Sequence, residues 1–516
     1  MATISVSTRV ALCVALGGFI FGFDASVISG VIPFISKLFG LSDWQIGAVV
    51  SAPTLGAVFS AMGVSTLADR FGRKPILIGI AAIYAISAAY SALAPNFESL
   101  VIARFIGGLG FGSLVLAPIY ISEIAPPHQR GRLVSFNQLN IVVGFSVAYF
   151  VNYFIVQAVS NAYSWAPPQS MANAPWRWML GLELLPALAY IAMLFKIPES
   201  PRWLMLNNYS ARATDVVKKL TGNNVNAEAL LSEAELKQTH DLPPLNKRIG
   251  LLLSKPVRFA LLLGLLLACA QQITGINAIY FYAPTIFEQS GVGTNAAFAQ
   301  AALIGLINVL FTIVAMGLID KVGRKPLLLI GLTGVAISMS LCAWEFKQAH
   351  YKIENTAIFE ELNIPVPMNL VGVTFNSDTE FKQALRIELG DLAAKDYEAK
   401  LISNAIQFNA KLFLFGILLF VASFAVSLGP VMWVLLPEIF PNHLRGVGMA
   451  LTGLVNSAVS FSVQFVFPWE LSQLGAALTF FIYGAFALLG CILVSRYLPE
   501  TKGKSLEELE ATFIRP

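Results

Sequence analysis

The stretch Gly17–Gly30, GGFIFGFDASVISG, places a carboxylate, Asp24, near the middle of an apolar run long enough to cross a bilayer. A charge at that depth costs about 3 kcal/mol or more and persists only with a partner, a water-filled cavity or a functional task. Intramembrane acids mark ion, proton and substrate pathways, with a structural ion pair as the alternative. Gly18, Gly22, Ser26 and Gly30 recur every fourth residue and form a small-residue seam on which a neighbouring helix can pack closely. At about 100° per residue, Asp24 lies on the other side of the helix from Gly22 and Ser26. The seam and the acid therefore address different neighbours.

A second group of charges repeats. DRFGRKP at Asp69–Pro75 returns as DKVGRKP at Asp320–Pro326, EIAPPHQRG from Glu123 returns as EIFPNHLRG from Glu438, and PES at Pro198 returns as PET at Pro499. Each turn motif joins an acid, a glycine and adjacent cations. Asp69 is expected to cap a helix N-terminus, and Arg73 to pair with a carboxylate elsewhere. Asp69, Arg73, Glu123, Arg130 and Glu199, with their counterparts Asp320, Arg324, Glu438, Arg445 and Glu500, form a candidate gating network of charge-assisted bonds. The network would clasp two halves when the cytoplasmic side is shut and break when it opens. A topology signal alone would explain the cations but not the interspersed acids. Enzymatic signatures are missing: there is no nucleophile elbow, Walker loop or metal-spaced His cluster. Cys13, Cys269, Cys342 and Cys491 all fall in apolar runs without zinc or CxxC spacing. We expect no cofactor, no metal and no enzyme.

These residues must be positioned by membrane helices. The chain has 516 residues, 56% hydrophobic and 12% charged, with a mean hydropathy of +0.69; soluble domains run near 25% charged. Apolar runs about one bilayer thick occur near 10–33, 46–67, 76–94, 99–121, 132–156, 177–196, 258–288, 298–319, 326–345, 411–435, 447–469 and 476–496. The first lacks a charged leader and a cleavage site and reads as a retained span. Lys and Arg gather in the termini and alternate loops, while the short loops opposite hold only Lys37 and Arg177, which puts both termini in the cytoplasm. The net charge of +4 is thus a topology signal and no sign of nucleic-acid binding.

The internal repeats divide the chain into two six-helix halves. The expected organisation is a first half at 1–196, a cytoplasmic helical linker at 197–257, a second half at 258–496 and a cytoplasmic tail at 497–516. The spacing of the repeats places an extracytoplasmic insertion at 345–410, between the ninth and tenth spans. Its tail, GDLAAKDYEAKLISNA, reads as an amphipathic helix, and its front as a small folded cap. It serves either as a lid over a cavity or as a decoration. In the linker, Ala211–Leu220 and Ala227–Gln238 read as short amphipathic helices.

GGFIFGFDASVISG, the paired G-R-K turns, RGRLVSFNQL, PESPRWL, QQITGINAIYFY, GPVMWVLLPEIFP and PETKGKSLEELE together resemble the sugar porter branch of the major facilitator superfamily, especially its bacterial proton-coupled xylose and hexose symporters. The resemblance implies an all-α, twelve-helix fold whose two rocking halves give a midplane substrate site alternating access. It implies that Asp24 carries the proton, paired with Arg104 of the fourth span. Burial opposes ionisation of a carboxylate while a facing guanidinium favours it, and that balance can shift as the halves move. Members that only facilitate diffusion often carry Asn in place of Asp24.

Gln138, Gln271, Gln272, Asn277, Asn308, Trp433 and Asn456 match sugar-contact positions, and neutral hydrogen-bonding groups with an aromatic face suit a sugar. On an unbroken helix Gln272 and Asn277 would point apart, so Gly275 between them is expected to break the helix. Ser457, Phe281 and Phe145 stand where relatives often carry Trp, Tyr and Gln, which leaves the choice of sugar open. The reading is a monosaccharide:proton symporter of the cytoplasmic membrane, working as a monomer. A facilitator of the same fold and a membrane sugar sensor are the alternatives.

Overall fold

The computed structural model describes residues 6–125, 129–160, 169–221, 245–354, 356–441, 444–504 and 506–513. Twelve of its helices are long and apolar enough to span a bilayer: Val6–Leu38, Asp43–Phe71, Arg73–Leu93, Phe97–Ile124, Leu133–Val159, Pro175–Leu194, Lys255–Gln289, Thr294–Val322, Arg324–Gln348, Ala410–Ile439, Arg445–Gln473 and Gly475–Tyr497. They match the twelve apolar runs one for one. Of the two linker helices expected, the first is present as Ser210–Thr221. The second, Ala227–Gln238, lies outside the described residues.

The glycine seam of the first span does what its spacing requires. A Cβ on Gly18 would meet Asn137 O and Oδ1 of the fifth span at 2.8 Å, and Gly22 faces the Ile141 carbonyl in the same way. Ser26 Oγ donates to the Phe145 carbonyl at 3.1 Å. Backbones in contact gain dispersion energy that lipid tails cannot supply, so the fifth span is held along this side and Asp24 is left facing another helix.

Four spans are interrupted. The fourth consists of Phe97–Gly110 and Ser113–Ile124, the sixth of Pro175–Gly181 and Leu184–Leu194. The seventh breaks between Lys255–Ile273 and Ile276–Gln289, and the tenth between Ala410–Val426 and Leu428–Ile439. Broken backbone survives at membrane depth only where protein satisfies it or a cavity is lined by it. In the seventh span the break is at Gly275, with φ of 87°, a left-handed conformation that glycine adopts without strain.

Two compact units emerge from the packing. One contains the described residues of Met1–Val27, Ala52–Ala148 and Arg177–Pro244; the other contains those of Ile28–Ser51, Tyr149–Trp176 and Leu245–Pro516. The first unit is built on a core that includes Val14, Leu77, Tyr84, Leu116, Tyr120 and Tyr190. The second unit includes the ends of the first, second and fifth spans, which pack on later helices. Trp44 stacks on Trp469 with ring centroids 5.9 Å apart, Ser472 Oγ donates to Asp43 Oδ2 at 2.5 Å, and the Tyr149 hydroxyl donates to the Tyr280 carbonyl.

The insertion is a folded element of the second unit. Its strands β1 (His350–Lys352), β2 (Thr374–Phe375) and β3 (Ile406–Gln407) form an antiparallel sheet in the order β2-β1-β3. Helices Ala357–Glu361, Asp378–Leu389 and Asp391–Ala405 cover a core that includes Tyr351, Phe359, Phe381 and Leu401. The last helix is the expected amphipathic tail. Buried Lys382 reaches Asp378 at 3.4 Å and Glu398 at 3.5 Å, and Asp378 Oδ2 also accepts from the Ala476 N–H at the start of the twelfth span at 3.2 Å. One carboxylate thus fixes the insertion internally and docks it on a membrane helix.

Candidate functional site

Asp24 faces the fourth span. Arg104 Nη1 donates to Asp24 Oδ1, and Nη2 donates to the Asp24 carbonyl at 3.1 Å. Both residues are 1% exposed. Gly107, one turn beyond Arg104, permits the approach: a Cβ there would sit 2.5 Å from Ser87 Oγ and 3.4 Å from Asp24 Oδ2.

A third charged residue joins them. Glu183 lies in the break of the sixth span, is 2% exposed, and is within electrostatic reach of Asp24 and Arg104. Among the described residues no donor faces Asp24 Oδ2 or Glu183 Oε1. Two acids buried beside one guanidinium leave one negative charge in excess unless one of them is protonated. With one guanidinium the trio is neutral when it holds one proton and singly negative when it holds none. The sequence carried the signal in WMLGLELLPAL, a lone acid in an apolar run. That is the same feature that singled out Asp24, and sequence reasoning passed over it.

The polar residues of the second unit form a connected amide cluster. Gln272 Nε2 donates to Gln271 Oε1 and to Asn456 Oδ1, both at 3.2 Å. Asn456 Nδ2 donates to Gln271 Oε1 at 2.8 Å and to the Ala268 carbonyl at 3.0 Å. Gln271 Nε2 donates to the Leu428 carbonyl, beside the break in the tenth span, at 3.0 Å. Because Gly275 turns the chain, Asn277 Nδ2 reaches Gln272 Oε1 at 2.7 Å, as the expected helix break requires. It also donates to Ser460 Oγ at 2.7 Å, which accepts from Gln464 Nε2 at 2.7 Å as well. Ser460 and Gln464 were missed from sequence because Ser and Gln in a span read as ordinary interhelical bonds. Asn308 is buried on the eighth span, and Trp433 is 47% exposed on the tenth. Gln138 is half-buried on the fifth span, in the first unit.

The repeated charges pair within each unit. Arg73 pairs with Asp69 at 2.8 Å and with Glu123 at 3.2 Å; Arg324 pairs with Asp320 at 3.2 Å and with Glu438 at 3.0 Å. The expectation that Asp69 caps a helix is corrected. Asp69 belongs to the last turn of the second span, and the cap of the third span is Glu199, whose Oε1 accepts from Arg73 N at 3.0 Å and Lys74 N at 3.2 Å. Glu500 repeats the arrangement on Arg324 N at 3.1 Å and Lys325 N at 3.0 Å. Glu123 accepts from Ser200 at 2.5 Å and Glu438 from Thr501 at 2.7 Å. Burial raises the Glu199 carboxyl above its ordinary pKa, against the backbone N–H donors of Ser200, Lys74 and Arg73 and the Arg73 charge. Arg445 is half-buried at the start of the eleventh span. The side chain of Arg130 lies outside the described residues.

Comparison with known proteins decides the family. The sugar (and other) transporter family model matches residues 10–359 and 392–513. The chain belongs to this sugar transporter family. It is 34% identical over 502 residues to an arabinose-proton symporter of Bacillus subtilis, covering 97% of this chain and 93% of that protein. A D-xylose-proton symporter of Escherichia coli is 32% identical over 535 residues, covering 97% and 94%. Among solved structures, an inward-open conformation of the E. coli xylose transporter XylE matches with a TM-score of 0.74 and 29% identity over 98% of this chain and 99% of that one. The twelve helices are those of the major facilitator fold, and the chain is a multi-pass membrane protein.

Proposed function

We propose that this chain is a monosaccharide:proton symporter of the cytoplasmic membrane, with both termini cytoplasmic, acting as a monomer by alternating access. The observation that carries the reading is the buried trio of Asp24, Arg104 and Glu183: an ion set sealed from water is neutral only with one proton aboard. Taking up that proton releases part of Arg104's hold on Asp24, and losing it restores the hold. A conformational equilibrium that favours one of these states is thereby tied to proton binding. Relatives named as arabinose-proton and D-xylose-proton symporters support the coupling.

Sugar binding falls to Gln271, Gln272, Asn277 and Asn456, with Asn308, Trp433 and Gln138 as further contacts. The amide cluster is uncharged and rich in both donors and acceptors, which suits a polyhydroxylated neutral ligand. Its internal bonds hold the side chains in place before the sugar arrives, so less ordering entropy is lost on binding. The Arg73 and Arg324 sets serve as the gating network. Each joins a largely buried Arg and Glu to an exposed Asp, and their remaking sets the balance between states.

The test is uptake into liposomes containing the purified chain. Asp24→Asn is expected to abolish accumulation driven by a pH gradient while sparing sugar counterflow. Undiminished uphill uptake in that variant would refute the coupling role. Sugar entry by the wild-type chain that ignores the pH gradient would instead make it a facilitator.

A further inference from the structure

One face of the eleventh span serves two purposes. Asn456, Ser460, Gln464, Phe467 and Glu470 follow one another at steps of four, four, three and three residues, so they lie along one side of the helix. The first two belong to the amide cluster, and the last three hold aromatic side chains of the seventh and twelfth spans. Tyr282 Oη donates to the Gln464 carbonyl at 2.8 Å, with its ring centroid 5.0 Å from that of Phe467. Phe467 stacks in turn on Tyr483 of the twelfth span at 6.4 Å, 18° from parallel. Tyr483 Oη donates to Glu470 Oε2 at 2.7 Å. Tyr282, Phe467 and Tyr483 are all buried.

Tyr483 occupies the place of the side chain that Gly275 lacks. A Cβ on Gly275 would lie 2.5 Å from Tyr483 Cδ2, 2.8 Å from Cε2 and 2.9 Å from Cγ. The ring therefore lies directly on the left-handed turn that brings Asn277 back to Gln272. Beyond the turn, Asn277 donates to Ser460, on the same face of the eleventh span that anchors Tyr483. Glycine adopts the left-handed conformation readily, but it adopts right-handed ones as readily. A continuous helix through Gly275 would carry Asn277 away from Gln272, so something outside the glycine must select the turn. The ring is placed to do so, and the bond from its hydroxyl to Glu470 fixes its far end.

We propose that Tyr483, anchored by Glu470, is a positioning residue for sugar binding: it holds the Gly275 turn in the geometry that completes the amide cluster, and it sets affinity without touching the sugar. This rests on the reading of the amide cluster as the sugar site. With the hydroxyl unanchored, the competent turn becomes one arrangement among several, and the apparent dissociation constant rises by the inverse of its population. A ring that merely filled space would add to stability and leave affinity to the amides.

The experiment titrates the purified full chain with D-xylose or D-glucose, whichever the wild type exchanges by counterflow in proteoliposomes. Tyr483→Phe keeps the ring and loses the hydroxyl. It is expected to weaken binding about fivefold or more and to raise the half-saturating sugar concentration for counterflow in proportion, with the maximal rate falling less than about twofold. Glu470→Gln keeps an acceptor oxygen and is expected to bind within about twofold of wild type, whereas Glu470→Ala matches Tyr483→Phe. In an Asn277→Ala background Tyr483→Phe is expected to change binding less than about twofold, because the side chain it positions is gone. Binding by Tyr483→Phe equal to wild type overturns the proposal. So does full additivity of Tyr483→Phe with Asn277→Ala, which marks a general packing role. If the wild type exchanges neither sugar, or if Asn277→Ala leaves binding intact, the reading of the amide cluster fails and the proposal falls with it.

Discussion

Asp24 and Glu183 contend for one guanidinium, and their sum of charges decides how many protons the site holds. Replacing Glu183 by Gln leaves Asp24 and Arg104 as a neutral pair that gains nothing electrostatically by binding a proton. Glu183→Gln is therefore expected to lower pH-driven accumulation at least tenfold while counterflow continues, measured as labelled sugar retained at steady state. In the amide cluster, Asn277 supplies donors to Gln272 and Ser460. Asn277→Ala removes both and strands Gln272 Oε1, at about 1–3 kcal/mol, while Ser460 Oγ keeps the Gln464 donor. Sugar binding measured by calorimetry should weaken roughly ten- to a hundredfold.

At the scale of elements, the apolar period of the sequence located all twelve spans because lipid demands about 20 apolar residues per crossing. The break at Gly275 was legible too, since Gly between two polar residues at incompatible helical angles has one simple explanation. The break at Ser427, with φ −125° and ψ −93°, had a signal that sequence reasoning passed over: Pro430 offers no N–H to the Val426 carbonyl and its ring crowds that carbonyl. Glu199 as a cap was hidden, because its N–H donors lie in a different helix far along the chain. Its raised pKa has a signed consequence. Stability from protonated Glu199 is fully present below the ordinary carboxylate value and is lost as pH rises through the raised one. Glu199→Gln keeps the acceptor oxygen without the buried charge, so the part of thermal stability that wild type loses as pH rises above the ordinary carboxylate range should be absent from the variant's melting curves.

Across the whole molecule, the family match omits residues 360–391, which lie inside the insertion. Its core and its three strands were not readable because strands of two or three residues leave no period to detect. What fastens it is Asp378, shared between Lys382 and the Ala476 N–H. Burial works to lower the Lys382 pKa, but the carboxylates of Glu398 and Asp378 outweigh it and hold the amine above its ordinary value. That contribution is fully present below the ordinary lysine range, about pH 10, and is lost only as pH climbs through the raised value. Asp378→Ala should open the insertion to limited proteolysis at neutral pH, with cleavage at least tenfold faster than in wild type.

The paired indoles of Trp44 and Trp469, 23° from parallel, join an early transmembrane segment to a late one. Chromophores this close couple their strongly allowed transitions and give a split far-ultraviolet circular dichroism signal. The signal disappears when either ring is displaced, so the wild-type polypeptide carries its own optical gauge of whether those segments are in contact, read in real time without a dye.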